Sequence, residues 1–175
     1  MPQANSFIRR LLYRLTDRLP CRIINGDDGR PYLERYHLFR LPFGGNAYIH
    51  RFVASDPDRG VHDHPWPWSV GMILSGGYQE ERLHNNENGS CLRTREMKPA
   101  RINWIRGDDF HRIVIPEGRE AWTLFAHGRK YKNWGFLNIN AQGETQFHPH
   151  EEREPESHQE WWKQAPCGKV VRKNT

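Results

Sequence analysis

Cysteine is scarce and unpaired in this chain: Cys21, Cys91 and Cys167 are three in number and show no metal-type spacing. That excludes a disulfide framework and points to free thiols in a reducing compartment. No apolar run approaches the roughly 18 residues of a membrane-spanning helix, and the first residues lack the uninterrupted apolar segment of a signal peptide. A soluble, cytoplasmic protein with no membrane partner is therefore expected. A nucleophile elbow and a phosphate-binding loop are both missing, which removes serine hydrolases and nucleotide-binding enzymes from consideration. There is no internal repeat at a solenoid or propeller period. Charge of one sign is in only mild excess, with a net +5 over 175 residues, which permits a nucleic-acid or anionic partner but does not decide for one, and no nucleic-acid partner is expected. The length suits one domain with a real core.

What is present begins with one helical signal. After Asn5 or Ser6 as a cap, Phe7, Ile8, Leu11, Leu12, Leu15 and Leu19 recur at helical spacing, with Arg9, Arg10, Arg14 and Arg18 on the other faces, until Pro20 ends the run. The spacing predicts a short amphipathic helix within residues 1–20 that packs its apolar stripe on the body of the protein. From residue 21 to about 140 the texture changes to short alternating runs between turn residues, the pattern of an antiparallel β domain. Strands are expected at 22–25, 32–41, 47–54, 68–74, 78–83, 91–97, 102–105, 111–115, 121–127 and 134–139, with an exposed loop over 84–90. Roughly ten strands without an intervening helix make an all-β sandwich or closed barrel. Residues 141–175 form an extension of weaker pattern: the charge run 151–156 reads as solvated, whereas Trp161 and Trp162 are too apolar to be left in water at no cost.

The most informative stretch is Gly60-Val61-His62-Asp63-His64, followed by Ser69 and Gly76. On an extended backbone His62 and His64 leave the same face and Asp63 the other. Two neutral imidazoles on one strand need one or two more ligands to hold a metal such as zinc, copper, iron or nickel, although a loop-edge pair satisfied by hydrogen bonds has the same spacing. His148-Pro149-His150 is a second, weaker pair of this kind.

The glycine, the histidine pair, the position of Ser69 and the closing Gly76 resemble the first motif of the cupin superfamily, and the segment from Gly107 to Ile113 resembles the second more loosely. The resemblance covers about residues 33 to 138. It implies a single cupin-type jelly-roll barrel, or double-stranded β-helix, with a short N-terminal α-helix. It also implies a metal site of His62, His64 and His111, similar in ligand set to cupin thiol dioxygenases. Ser69 stands where the family has a glutamate, and the proline-glycine part of the second motif is absent. Fe(II) is the metal this set implies first, with Zn, Ni or Mn as alternatives; cupins also often pair through their sheets into a homodimer.

Three further residues are candidates for catalysis. Tyr78 and Glu80 are two apart after the glycine turn and share a face, where they would orient a substrate, supply the missing acid, or simply pack. His50 shares a face with Phe52 and is a candidate for completing the metal sphere or for acid–base work near neutral pH, with Arg51 pointing away. Trp104, Trp122 and Trp134 read as core, and Trp66 and Trp68, set between Pro65 and Pro67, as a rigid wall at the pocket mouth. The function expected is a mononuclear non-haem iron dioxygenase acting on a small organic molecule without 2-oxoglutarate. A cupin isomerase or lyase and a non-catalytic small-ligand-binding cupin remain as alternatives.

Overall fold

Two antiparallel sheets of six strands each face one another across the interior. The structure, a computed structural model, describes residues 6–87, 89–150 and 160–173. The first sheet contains β1 (Cys21–Asn25), β2 (Pro31–Arg40), β3 (Asn46–Phe52), β5 (Trp68–Ser75), β8 (Ile102–Arg106) and β10 (Ala121–His127), in the order β1-β2-β3-β10-β5-β8. The second contains β4 (Val61–His62), β6 (Tyr78–Asn86), β7 (Gly89–Met97), β9 (His111–Val114), β11 (Gly135–Ile139) and β12 (Thr145–Pro149), in the order β12-β11-β4-β9-β6-β7. Non-consecutive neighbours in both sheets are the signature of a jelly roll rather than of a meander.

The interior divides along the strand axes. At one end Leu33, Phe52, Ile73, Tyr78, Met97, Ile113, Ile115 and Ala121 form an apolar cluster. At the other end the same strands present Tyr48, Ser69, Phe125 and His127, so that polar and aromatic side chains replace aliphatic ones. This is where the site lies.

The outer face of the first sheet is covered by α1 (Ser6–Thr16) and the short α2 (Gly168–Val171), which enclose Cys21, Tyr36, Ile49 and Trp122. The expected cap at Asn5 lies outside the described residues. Only one flank of α1 is buried: Leu12 packs inward and the Tyr13 ring meets Trp122 edge-on at 5.1 Å, while Phe7, Leu11 and Leu15 stay exposed. The helix is held by polar contacts instead, with Tyr13 donating to Glu120 at 2.9 Å and Arg172 paired with Asp17. Arg51, on the outer face as expected, joins Glu34 and Glu120 at 2.7 and 2.8 Å.

Several expectations are corrected. Residues 84–90 are the end of a long hairpin rather than a loop, since β6 runs to Asn86 and β7 resumes at Gly89. Residues 145–149 form β12, antiparallel to β11. Trp104 is 55% exposed, because β8 is an edge strand, and its ring stacks on that of Trp68 at 5.9 Å. Trp122 is fully buried, as expected. The charge run 151–156 lies outside the described residues, whereas Trp162 stacks on His37 at 4.1 Å and Trp161 lies parallel to Tyr48 at 6.3 Å, bringing the C-terminal turn back over the polar end of the barrel.

Candidate metal centre

The His-x-His segment is fixed by the residue between its histidines. Asp63 turns away from the interior, accepts the Gly135 N–H at 2.7 Å and pairs with Lys132 at 2.8 Å, which pins β4 beside β11. Gly60 precedes it with φ +89°, and a Cβ there would lie 2.4 Å from Leu137 O, so only glycine fits this approach. Gly76 plays the same part after β5, with φ +75° and room for no side chain against Glu120 O. The two motif glycines thus bound the segment that carries the histidines.

His62, His64 and His111 converge. One ring nitrogen from each lies within 4.8 Å of the others, and His62 and His111 are direct partners across β4 and β9. His64 Nε2 and His111 Nε2 approach to 2.8 Å, near the separation of about 3.0–3.4 Å that two nitrogens have when they share one metal at about 2.0–2.1 Å. Burial, then the neighbouring His111, depresses the pKa of His62 to about 3; the same causes, with His62 added, put His64 well below its usual range. Both rings are therefore neutral at physiological pH, as a ligand must be. His62 keeps 18% of its side chain exposed, so the cluster is reachable from solvent. Three imidazoles converging in this way, those of His62 and His64 kept neutral by burial, fit a divalent metal ion.

Each end of the cluster has a carboxylate behind it. Glu80 is fully buried, and its Oε1 lies 2.9 Å from His111 Nδ1 and accepts from Asn103 Nδ2 at 2.6 Å. Arg95 binds its other oxygen and Arg82 lies 3.4 Å away. Burial would raise the Glu80 pKa, but the hydrogen bond and charge of His111, with Asn103 and Arg82, over-ride it and hold the carboxyl well below the usual carboxylate range. Asp56 stands 3.9 Å from His62 Nδ1, beyond hydrogen-bond reach, and accepts the Ile113 N–H at 2.7 Å. Burial lifts its pKa to about 6.

The remaining candidates are placed as follows. Tyr78 lies in the apolar cluster with Phe52, Met97 and Ile113. His50 is buried in the first sheet, where its Nε2 meets Arg35 Nε at 3.2 Å and its ring stacks on Phe125 at 4.7 Å. Ser69 faces the interior opposite His127, fully buried, and its hydroxyl has no hydrogen-bond partner among the described residues. Trp66 walls the site as expected, stacked on His64 at 5.4 Å and on His127 at 3.7 Å. Trp134 is a wall as well, 6.1 Å from the His62 ring and 4.1 Å from His150. His148 is exposed on β12 and joins no cluster of three potential ligands among the described residues.

Arg35, His127 and Asp56 were not singled out by sequence. Arg35 could have been found, since Leu33, Arg35 and His37 share one face of β2 by alternation, but the other face carries Glu34 and Tyr36 and is equally buried beneath the helices. A strand covered on both sides hides which face is the inner one.

No family model and no curated protein matches this sequence. Among solved structures it is similar to Fe(II)-HppE with an alternative substrate (13% identity, 61% of this chain and 55% of that one, TM-score 0.47). It is also similar to oxalate oxidase (17%, 65% and 59%, TM-score 0.48) and to a cupin protein from Bacteroides fragilis (20%, 54% and 75%, TM-score 0.41). The chain spans little more than half the length of HppE and oxalate oxidase. Its own strand order decides the architecture: two six-stranded antiparallel sheets, closed over a three-histidine cluster that the His-x-His segment begins, give this chain the cupin fold.

Proposed function

We propose that the chain is a metal-dependent cupin enzyme in which His62, His64 and His111 hold Fe(II), and that it oxidises a small organic molecule with molecular oxygen and without 2-oxoglutarate. The observation that carries this reading is the donor set: three imidazoles converge, and the position of the family's acid is taken by Ser69, whose buried hydroxyl is unengaged. Fe(II) with three neutral ligands supplies open positions for oxygen and substrate together. The protein's own part is to hold, to shield and to fix protons. Glu80 holds a proton of His111 on Nδ1, so that Nε2 is the nitrogen it would offer a metal. Trp66, Phe125, Trp134 and Phe136 form apolar walls that limit water.

In this reading Glu80 acts through His111 and is a positioning residue. His50 has its Nε2 lone pair committed to Arg35, which leaves its proton on Nδ1 and makes it a pocket wall. Tyr78, its pKa raised by burial and then by Glu80, stays a neutral phenol. These placements take His50 and Tyr78 out of proton transfer, which weakens the isomerase or lyase reading that rested on them.

The test is oxygen uptake by full-length protein loaded anaerobically with Fe(II), screened over thiols and amino acids. Uptake coupled to product in a 1:1 ratio is expected. Bound iron without uptake on any substrate would favour the isomerase or binding-module reading.

A further inference from the structure

The flank of α1 that the first sheet leaves uncovered is apolar. Phe7, Ile8, Leu11 and Leu15 are exposed, Phe7 at 66%, whereas Leu12 and Thr16 are buried beneath the same helix. At 3.6 residues per turn the four exposed side chains fall within one arc of about 100°, beside the arc that Leu12 and Thr16 occupy. The period of the helix therefore marks two surfaces, one spent on the barrel and one turned to solvent.

The second surface is bordered by positive charge. Leu11 and Leu15 line an open groove between α1 and α2 together with Arg14, Arg18 and Lys169. These three cations are exposed and pair with no carboxylate among the described residues. No acidic residue lies between Ser6 and Thr16, and the one acid on the groove, Asp17, is engaged by Arg172. The long stems of Arg14 and Arg18 can lie along the apolar band while their heads reach past it.

Charge decides what can cover such a surface. Two copies of this chain meeting through it about a two-fold axis would bring Arg14, Arg18 and Lys169 against their own counterparts, which like-charge repulsion opposes. A neutral apolar partner would desolvate the same cations without compensation. An anionic bilayer satisfies both parts, since apolar side chains enter the boundary between headgroups and acyl chains while the cations stay at the level of the phosphates. The apolar area is also spread along the helix instead of gathered into one pocket for an anchor residue, which suits a fluid surface better than a protein hot spot. No helix among the described residues is long and apolar enough to cross a membrane, and lying on one needs no such length.

We propose that α1 and α2 form a peripheral membrane-binding surface, in which Phe7, Ile8, Leu11 and Leu15 enter an anionic bilayer and Arg14, Arg18 and Lys169 meet its phosphates.

The test is co-sedimentation of the full-length protein with vesicles of phosphatidylcholine alone and of phosphatidylcholine with phosphatidylserine. Binding to the anionic vesicles is expected to be at least about tenfold stronger, and to weaken as salt is raised. Arg14→Gln combined with Arg18→Gln should reduce it by about fivefold for each arginine removed. Leu11→Gln combined with Leu15→Gln should reduce it by at least about tenfold. All four side chains are exposed, so both double variants should keep the wild-type melting temperature. Arg93→Gln combined with Arg106→Gln removes the same charge from exposed positions on β7 and β8, and should leave binding within about twofold of wild type. Absence of binding to the anionic vesicles, equal binding to both kinds, or binding that survives either α1 double variant overturns the proposal. So does a loss in the Arg93 and Arg106 variant equal to that in the Arg14 and Arg18 variant, which would reduce the effect to net charge. Binding to polyglutamate in place of vesicles would assign the surface to an acidic protein and overturn it as well.

Discussion

Glu80 Oε1 lies 2.9 Å from His111 Nδ1, and because an ionised carboxylate can only accept, His111 must carry a proton on Nδ1. The acid absent from the position of Ser69 is thus present one step further out, oriented by Arg95, Arg82 and Asn103.

Glu80→Gln keeps an acceptor for His111 but loses the charge, and Glu80→Ala loses both. Metal affinity should fall by about 10–100-fold, with Ala at the larger end. Glu80→Ala should also destabilise the chain by about 3–5 kcal/mol, since Arg82 and Arg95 lose a buried partner. Zinc competition titrations and urea melts on the same samples check both effects; unchanged affinity in Glu80→Ala would remove Glu80 from the site.

Adjacent leucines of α1 should behave differently. Leu12 is 6% exposed beneath the helix and Leu11 is 56% exposed. Leu12→Ala should cost about 2–5 kcal/mol and Leu11→Ala no more than about 0.5 kcal/mol. Equal losses in chemical denaturation would mean that the apolar stripe of the helix is covered on its other flank too.

Acid should weaken the fold through its buried histidines. Burial holds His127 at a pKa of about 4 against an ordinary value of 6.5. Between those values the unfolded chain binds the proton and the folded chain does not, so stability falls as pH is lowered through this window. The loss is about 3 kcal/mol at most from this residue. His50 and His64, also depressed, act with the same sign. Melting temperature measured from pH 7 to pH 4.5 should drop less steeply in His127→Gln than in wild type, and parallel profiles would contradict the assignment.

Much of this architecture is legible in the sequence because local patterns carry it. β10 occupies 121–127, the expected segment, since its alternation is clean and its turns are marked. The joint burial of Tyr78 and Glu80 follows from a spacing of two. The partner of Glu80 does not, because the pairing of β6 with β9 joins residues about thirty apart and no local signal encodes it. β4 is too short for a pattern, and β12, exposed along its whole length, has no apolar face to announce it. Trp104 misleads for the opposite reason: its composition says core, but its position on an edge strand leaves it in water. The helix stripe is real as a period, yet the sheet beneath it has room for only one flank.

The most direct test is the metal content of full-length protein purified without a histidine tag, read by elemental analysis for wild type and for His62→Ala, His64→Ala and His111→Ala, beside His148→Ala as a control. The three-histidine centre predicts close to one divalent metal per chain in wild type and in His148→Ala, and loss of most of it in each of the other three with far-ultraviolet circular dichroism unchanged. Full occupancy in all three cluster variants, or loss of metal in His148→Ala alone, would contradict it.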